Sequence, residues 1–194
     1  NIGAPKCSRE LKACAIRAYA RSIGWKRYYT AIGIRADEKQ RINIETMKRQ
    51  RILYPLATWL NITKSDINLF WSKQGFDLQL KSYEGNCDLC WKKSLRKLMT
   101  IVSENPHLAE WWRSMEQRYE NFIPASSLHN LKIKTPIRFY RDNMSVDDIL
   151  YDASFDFDPA TDDSKTIDNY KQLAFFNEWL DTQEGGCSQS CEAF

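Results

Sequence analysis

Two cysteines three residues apart, in the stretch Gly85-Asn86-Cys87-Asp88-Leu89-Cys90-Trp91-Lys92-Lys93-Ser94, can turn both sulfurs toward one point. A second pair, Cys187 and Cys191, follows two glycines at the end of the chain. Soft thiolates select zinc or an iron–sulfur cluster, and the two pairs together would make a four-thiolate site of either kind. The spacing alone does not separate the two metals, and a redox dithiol is the rival reading of Cys87 and Cys90. Lys92, Lys93, Arg96 and Lys97 surround the first pair with cations, and a helix start there would add its dipole; both favour thiolate. Cys7 opens a helical pattern, whereas Cys14 sits in an alanine-rich face and reads as a small buried residue.

A second set of residues points to anions. Arg9 and Lys12 lie in the first turns of a helix, and Arg35 and Arg41 flank Asp37 and Glu38. Guanidinium forks and free helix N–H groups both direct hydrogen bonds at phosphate or sulfate oxygens. No Gly-rich phosphate loop of the Walker or dinucleotide type is present, and no Ser/His/Asp or Cys/His arrangement marks a nucleophile. Catalytic residues are therefore unassigned. His107 and His129 are isolated and read as surface residues.

These residues need elements to hold them. The pattern predicts a helix over 7–23 with Gly24 just beyond its end. The apolar run 28–34 has strand length and reads as a strand covered on both faces, ending in the charged Arg35-Ala36-Asp37-Glu38. Ligands of open α/β sheets lie beyond the carboxyl ends of strands, which places those charges for chemistry. A basic segment, 48–51, leads into a short strand at 52–56. Thr63-Lys64-Ser65-Asp66 and Ser145-Val146-Asp147-Asp148 are capping boxes, predicting helices to about 73 and 153. Trp91, Leu95, Leu98 and Val102 recur at i, i+4, i+7 and i+11, which predicts a helix from the cysteine pair to about 104. Another helix runs from Pro106 to about 119. Residues 136–140 read as a short extended piece, 154–168 as an acidic mobile loop, and 169–180 as irregular or partly helical.

The net charge of +3 over 194 residues hides an asymmetry. Residues 1–100 carry 20 Lys/Arg against 8 Asp/Glu, a balance of +12, while 101–194 stand at −9. A basic half suggests a nucleotide or nucleic-acid partner, or an acidic half to neutralise it. No stretch reads as a membrane-spanning helix or a signal peptide, and the expected location is cytoplasmic. The chain begins with Asn, so processing or a longer parent is expected.

Several segments occur here in one order: Pro5-Lys6-Cys7-Ser8-Arg9-Glu10-Leu11-Lys12, Ala31-Ile32-Gly33-Ile34-Arg35-Ala36-Asp37-Glu38 with Arg41, Tyr54-Pro55-Leu56, Gly85-Asn86-Cys87-Asp88-Leu89-Cys90, and the final Ser190-Cys191-Glu192-Ala193-Phe194. Together they resemble the phosphoadenosine phosphosulfate reductase-like proteins of bacteria and phages, in the adenine nucleotide α-hydrolase (ATP pyrophosphatase) superfamily. The resemblance covers about residues 3–134 and the tail. It implies an α/β fold, a Rossmann-like sandwich incomplete at its N-terminus. Residues 1–84 would be the C-terminal part of the nucleotide-binding domain, and 85–194 a mostly helical, cysteine-containing region with an acidic loop and tail.

The same resemblance implies that Arg9, Lys12, Arg35 and Arg41 contact an adenine nucleotide. It also implies a [4Fe–4S] cluster on Cys7, Cys87, Cys90 and Cys191, with Cys187 a substitute and zinc the alternative metal. The activity it implies is sulfonucleotide reduction or adenylation-linked sulfur transfer to a nucleic acid. In reduction, Cys7 or a tail cysteine that is not a ligand would attack the sulfur. The family's first strand and Ser-Gly-Gly phosphate loop have no counterpart here. A preceding segment or a partner chain would supply them, or the chain is a reduced form that does not bind nucleotide in the usual way. The alternative is a non-catalytic binding protein on the same scaffold, with a structural zinc or cluster site and nucleic acid as a candidate partner.

Overall fold

The structure, a computed structural model, describes residues 7–85, 87–123 and 134–167. These divide into two compact units. One takes in residues 7–79 and 163–167, and the other the described residues between 80 and 162.

The first unit opens with a π-helical segment, Cys7–Cys14, that continues as α1 (Ala15–Ser22). Gly24, at φ 85°, follows α1 in the left-handed region, where a residue without Cβ is unstrained. Its N–H donates to the Arg21 carbonyl, and that of Trp25 donates to Ala20. This is the paired Schellman closure expected where glycine stands past a helix end. β1 (Thr30–Ala31) and β2 (Ile52–Leu53) pair in parallel, Thr30 with Ile52 and Ala31 with Leu53. The Thr30 N–H donates to Arg51 and that of Ile32 to Leu53, extending the ladder at both ends.

Parallel strands need a crossover, and α2 (Ile44–Gln50) supplies it. Before α2 comes a 3₁₀ segment, Ala36–Arg41; after β2 come α3 (Pro55–Thr58) and α4 (Lys64–Ser72). Ile34, Ile52, Tyr54 and Ala57 form a small buried core, flanked by Ile32, Ile42 and Met47.

The expected long strand at 28–34 is thus only two laddered residues, and it is not covered on both faces. Tyr28, Thr30, Ile32 and Ile34 are half-buried or buried, while Tyr29, Ala31 and Gly33 are exposed. That alternation is what a strand packed on one face produces. The second strand also stops early, because Pro55 takes the first position of α3, where its missing N–H costs nothing.

In the second unit, α5 (Leu95–Glu104) packs on α7 (Val146–Asp152), and α7 packs on α6 (Leu108–Tyr119). Leu89, Leu98, Ile101, Val102, Val146 and Ile149 are the centre of its core. α5 begins later than the apolar stripe predicts. Ser94 is its N-cap and accepts from the Lys97 N–H at 3.4 Å, so residues 87–93 are turns. Residues 136–140 form no strand.

The acidic segment 154–167 has no regular structure yet is tied down. The Ala160 N–H donates to Thr100 Oγ1 at 2.8 Å, Arg96 pairs with Asp158 at 2.9 Å, and the Ser82 N–H donates to Asp162 at 2.9 Å. The tail cysteines Cys187 and Cys191, His129 and residues 169–180 lie outside the described residues. Among the described residues no helix is long and apolar enough to cross a membrane.

Candidate functional site

Ile34 ends the run that leaves β1, and Arg35 follows at the carboxyl edge of the parallel pair. The 3₁₀ segment folds back there against α3, with the Ala36 N–H donating to the Ile62 carbonyl at 2.7 Å. This return places Asp37 and Glu38 against the arginines on either side of them. Arg35 Nε donates to Asp37 Oδ1 at 3.0 Å and Nη2 to Oδ2 at 3.1 Å, a fork on a carboxylate. Arg41 Nη1 donates to Glu38 Oε1 at 2.7 Å, and Glu38 Oε2 takes the Arg35 backbone N–H at 3.3 Å. Glu38 is only 5% exposed, whereas Arg35, Asp37 and Arg41 remain half-buried and reachable.

Tyr54, 3% exposed, leaves β2 at the same edge. Burial pushes its hydroxyl above the ordinary tyrosine range, and the charge of Arg41 opposes that shift. The edge therefore joins two guanidinium forks, two carboxylates and a phenol. Its charges balance internally, so an anion bound at Arg35 would compete with Asp37.

Arg9 and Lys12 are exposed on the π-helical segment, and the Arg9 guanidinium is occupied by Glu10 at 2.6 and 2.8 Å. Arg9 is thus paired with its own neighbour, and Arg35 and Arg41 are paired with acids of their own segment. The expected convergence of these cations on one bound anion is not formed by these side-chain pairs.

Cys87 and Cys90 lie in the turns before α5 in the second unit, and so are not seated on a helix N-terminus. Cys90 is half-buried and Cys87 exposed. Leu89 between them is fully buried, which fixes the loop against the core. Lys93 is 6% exposed and its Nζ donates to the Tyr83 carbonyl. Burial lowers its pKa below the ordinary lysine value, while the neighbouring Cys90 and Asp88 work to raise it. The Tyr140 hydroxyl, well above its ordinary range through burial, donates to the Leu89 carbonyl at 3.2 Å.

Cys87 lines a cleft of about 430 Å³ with Asp88, His107, Leu108, Trp111 and Trp112. Nothing in the sequence ties His107 to Cys87; the packing of α6 does. Cys7, half-buried, belongs to the other unit. Among the described residues no group of three or more His, Cys, Asp or Glu is set to hold a metal. The donor chemistry of Cys87 and Cys90 suits zinc or an iron–sulfur cluster, and they supply two of the four thiolates that such a site uses.

No protein-family model matches the chain, and no solved structure matches it. It is 30% identical over 198 aligned positions to the uncharacterized nin region protein ORF290 of Escherichia phage lambda. The match takes in the whole of this chain and 59% of that protein, so the chain spans about three-fifths of the curated relative's length.

Proposed function

We propose that this chain is part of a phosphoadenosine phosphosulfate reductase-like protein that binds an adenine nucleotide at the carboxyl edge of its parallel strands. The observation that carries this reading is the parallel register of β1 and β2, with Ile34-Arg35-Ala36-Asp37-Glu38 running directly off β1. In open α/β sheets that edge is where ligands sit. A two-stranded parallel sheet with one uncovered face also fits a fragment of a larger Rossmann-like sandwich, because parallel strands normally occur with both faces covered. Further strands and a phosphate loop would come from a preceding segment or a partner chain, and the phage relative is a longer protein.

In this reading Arg35 and Arg41 orient the nucleotide's phosphate or sulfate oxygens, and Asp37 yields its fork when the anion arrives. Cys87 and Cys90 would hold a [4Fe–4S] cluster, or zinc, with ligands from elsewhere. When bound, a cluster supplies electron-transfer and sulfur-carrying chemistry near thiolates. The activity would be sulfonucleotide reduction or sulfur transfer, carried out in the cytoplasm. One observation favours a second reading, a non-catalytic binding protein on the same scaffold: Asp37 and Glu38 already neutralise both arginines.

Calorimetric titration of the anaerobically prepared full-length protein with ATP and with phosphoadenosine phosphosulfate tests the proposal. Arg35→Ala should weaken binding by about 1.5–3 kcal/mol, the range for a hydrogen bond to a charged group. Asp37→Asn should tighten it, since it removes the competing carboxylate; Lys48→Ala, an exposed cation on α2, should change nothing. Saturable binding that ignores Arg35, or no binding at all, overturns the nucleotide half. The same preparation should contain iron with sulfide, or zinc, and a metal-free protein overturns the cofactor half.

A further inference from the structure

At the opposite, amino edge of the two strands lies a cleft of about 500 Å³. Its floor is Thr30 and Ile52, the first residues of β1 and β2, and its walls are α1, the loop at 26–28 and the end of α2. Five of its lining residues are cations: Arg17, Lys26, Arg27, Arg49 and Arg51. Among the described residues no Asp or Glu lines it. At the carboxyl edge, by contrast, Asp37 and Glu38 stand beside Arg35 and Arg41.

Side-chain and backbone bonds tie the elements that carry these charges together. Arg17 Nη2 donates to Gln50 Oε1 at 3.2 Å, bridging α1 to the end of α2. Arg51 caps α2 at φ 55°, in the left-handed region that non-glycine residues rarely adopt. Its carbonyl accepts the Thr30 N–H at 3.0 Å, which fixes Arg51 against the start of β1. Cations gathered this closely repel one another, and a polyanion relieves that repulsion.

Aromatic rings adjoin the cations. The loop reads Trp25-Lys26-Arg27-Tyr28-Tyr29, with Trp25 set by the Schellman turn after α1. Trp25 is 55% exposed, and its ring lies 5.8 Å from that of Tyr28, which lines the cleft. A basic groove beside exposed rings is the arrangement that binds single-stranded nucleic acid, with phosphates on the cations and bases stacked on the rings. A small anion would use only part of it, and an acidic peptide would leave the rings without bases to stack on.

We propose that this amino-edge cleft binds single-stranded nucleic acid through Lys26, Arg27, Arg49 and Arg51, with a base stacked on Trp25. The site is separate from the carboxyl edge and does not depend on nucleotide binding there.

Fluorescence anisotropy of the full chain with a labelled 12-nucleotide single strand, in DNA and RNA forms, tests this across a salt series. Log affinity should fall linearly with log salt, with a slope on the order of −3 for four phosphates neutralised on a single strand. Arg27→Glu with Arg49→Glu should cut affinity at least tenfold and flatten the slope. Lys39→Glu with Lys48→Glu makes the same change in net charge outside the cleft and should cost less than about twofold if charge acts locally. Trp25→Ala should cost at least fivefold with the slope unchanged, because stacking is not screened by salt. Excess AMP should not displace the strand. Equal losses for the two charge-reversed pairs, no binding at low salt, displacement by AMP, or tighter binding of the matching duplex would each overturn the proposal.

Discussion

Glu38 and Lys93 show how far single residues depart from what their types suggest. Arg35-Ala36-Asp37-Glu38 reads in the sequence as charge at a strand edge, and that is where it lies. The sequence did not reveal that Asp37 and Glu38 would occupy the arginines, because those contacts need the 3₁₀ return of the backbone. Lys93 reads as one of four cations around the cysteines, and it is buried with its ammonium on the Tyr83 carbonyl. Its folded pKa lies below the ordinary 10.5, so between those values the unfolded chain holds a proton that the folded chain does not. The cost of burying its charge is therefore fully present below that window and fades as pH rises through it. We expect wild-type stability to gain on that of Lys93→Met as pH climbs from 7 toward 10. Urea unfolding of both proteins at several pH values measures the difference. A constant difference across that range would show that Lys93 stays charged. Above pH 10 the buried Tyr140 acts in the opposite direction, and in both proteins alike.

Helix starts were the most legible elements, because a capping box is local chemistry. Thr63 and Asp66, and Ser145 and Asp148, make the reciprocal bonds that their spacing predicts. The Ser145 N–H and hydroxyl both donate to Asp148 at 2.7 Å and hold its carboxyl below the ordinary 3.8. Ser145→Ala should cost about 1 kcal/mol of stability at neutral pH, the usual effect of losing an N-cap. That loss should shrink as pH falls through the lowered pKa of Asp148, where the carboxylate is protonated in both proteins. Thermal unfolding at pH 7 and in acid measures it, and a loss that does not change with pH would mean that the carboxylate is not engaged. Elements set by distant contacts were less legible. The turn at 87–93 takes its shape from Leu89 in the core and Lys93 on Tyr83, which the helical stripe of Trp91 and Leu95 hides. Leu95 itself is 42% exposed. The acidic segment looked mobile by composition, yet Thr100, Arg96 and Ser82 each hold part of it.

At the scale of the whole chain, the strongest sequence signal was the +12 balance of the first hundred residues. The structure places part of that charge at two edges of one small parallel sheet. At the carboxyl edge acids meet the arginines; at the amino edge five cations line a cleft that no Asp or Glu among the described residues enters. The order of charges along the chain already hints at the difference, since Arg35 is followed by Asp37 and Glu38 whereas Lys48-Arg49-Gln50-Arg51 holds no acid. Strand direction then assigns the two groups to opposite edges. The cysteine pair reads as a metal motif in the sequence, and the tail cysteines expected to complete it, Cys187 and Cys191, lie outside the described residues. Hydrogen exchange of the full-length protein with and without saturating ATP tests the proposed adenine-nucleotide site at the carboxyl edge. We predict slowed exchange at residues 34–41 and 54–62, with 26–28 and 49–51 unchanged. Protection confined to the amino edge, or no protection in either region when ATP is bound, would contradict the claim.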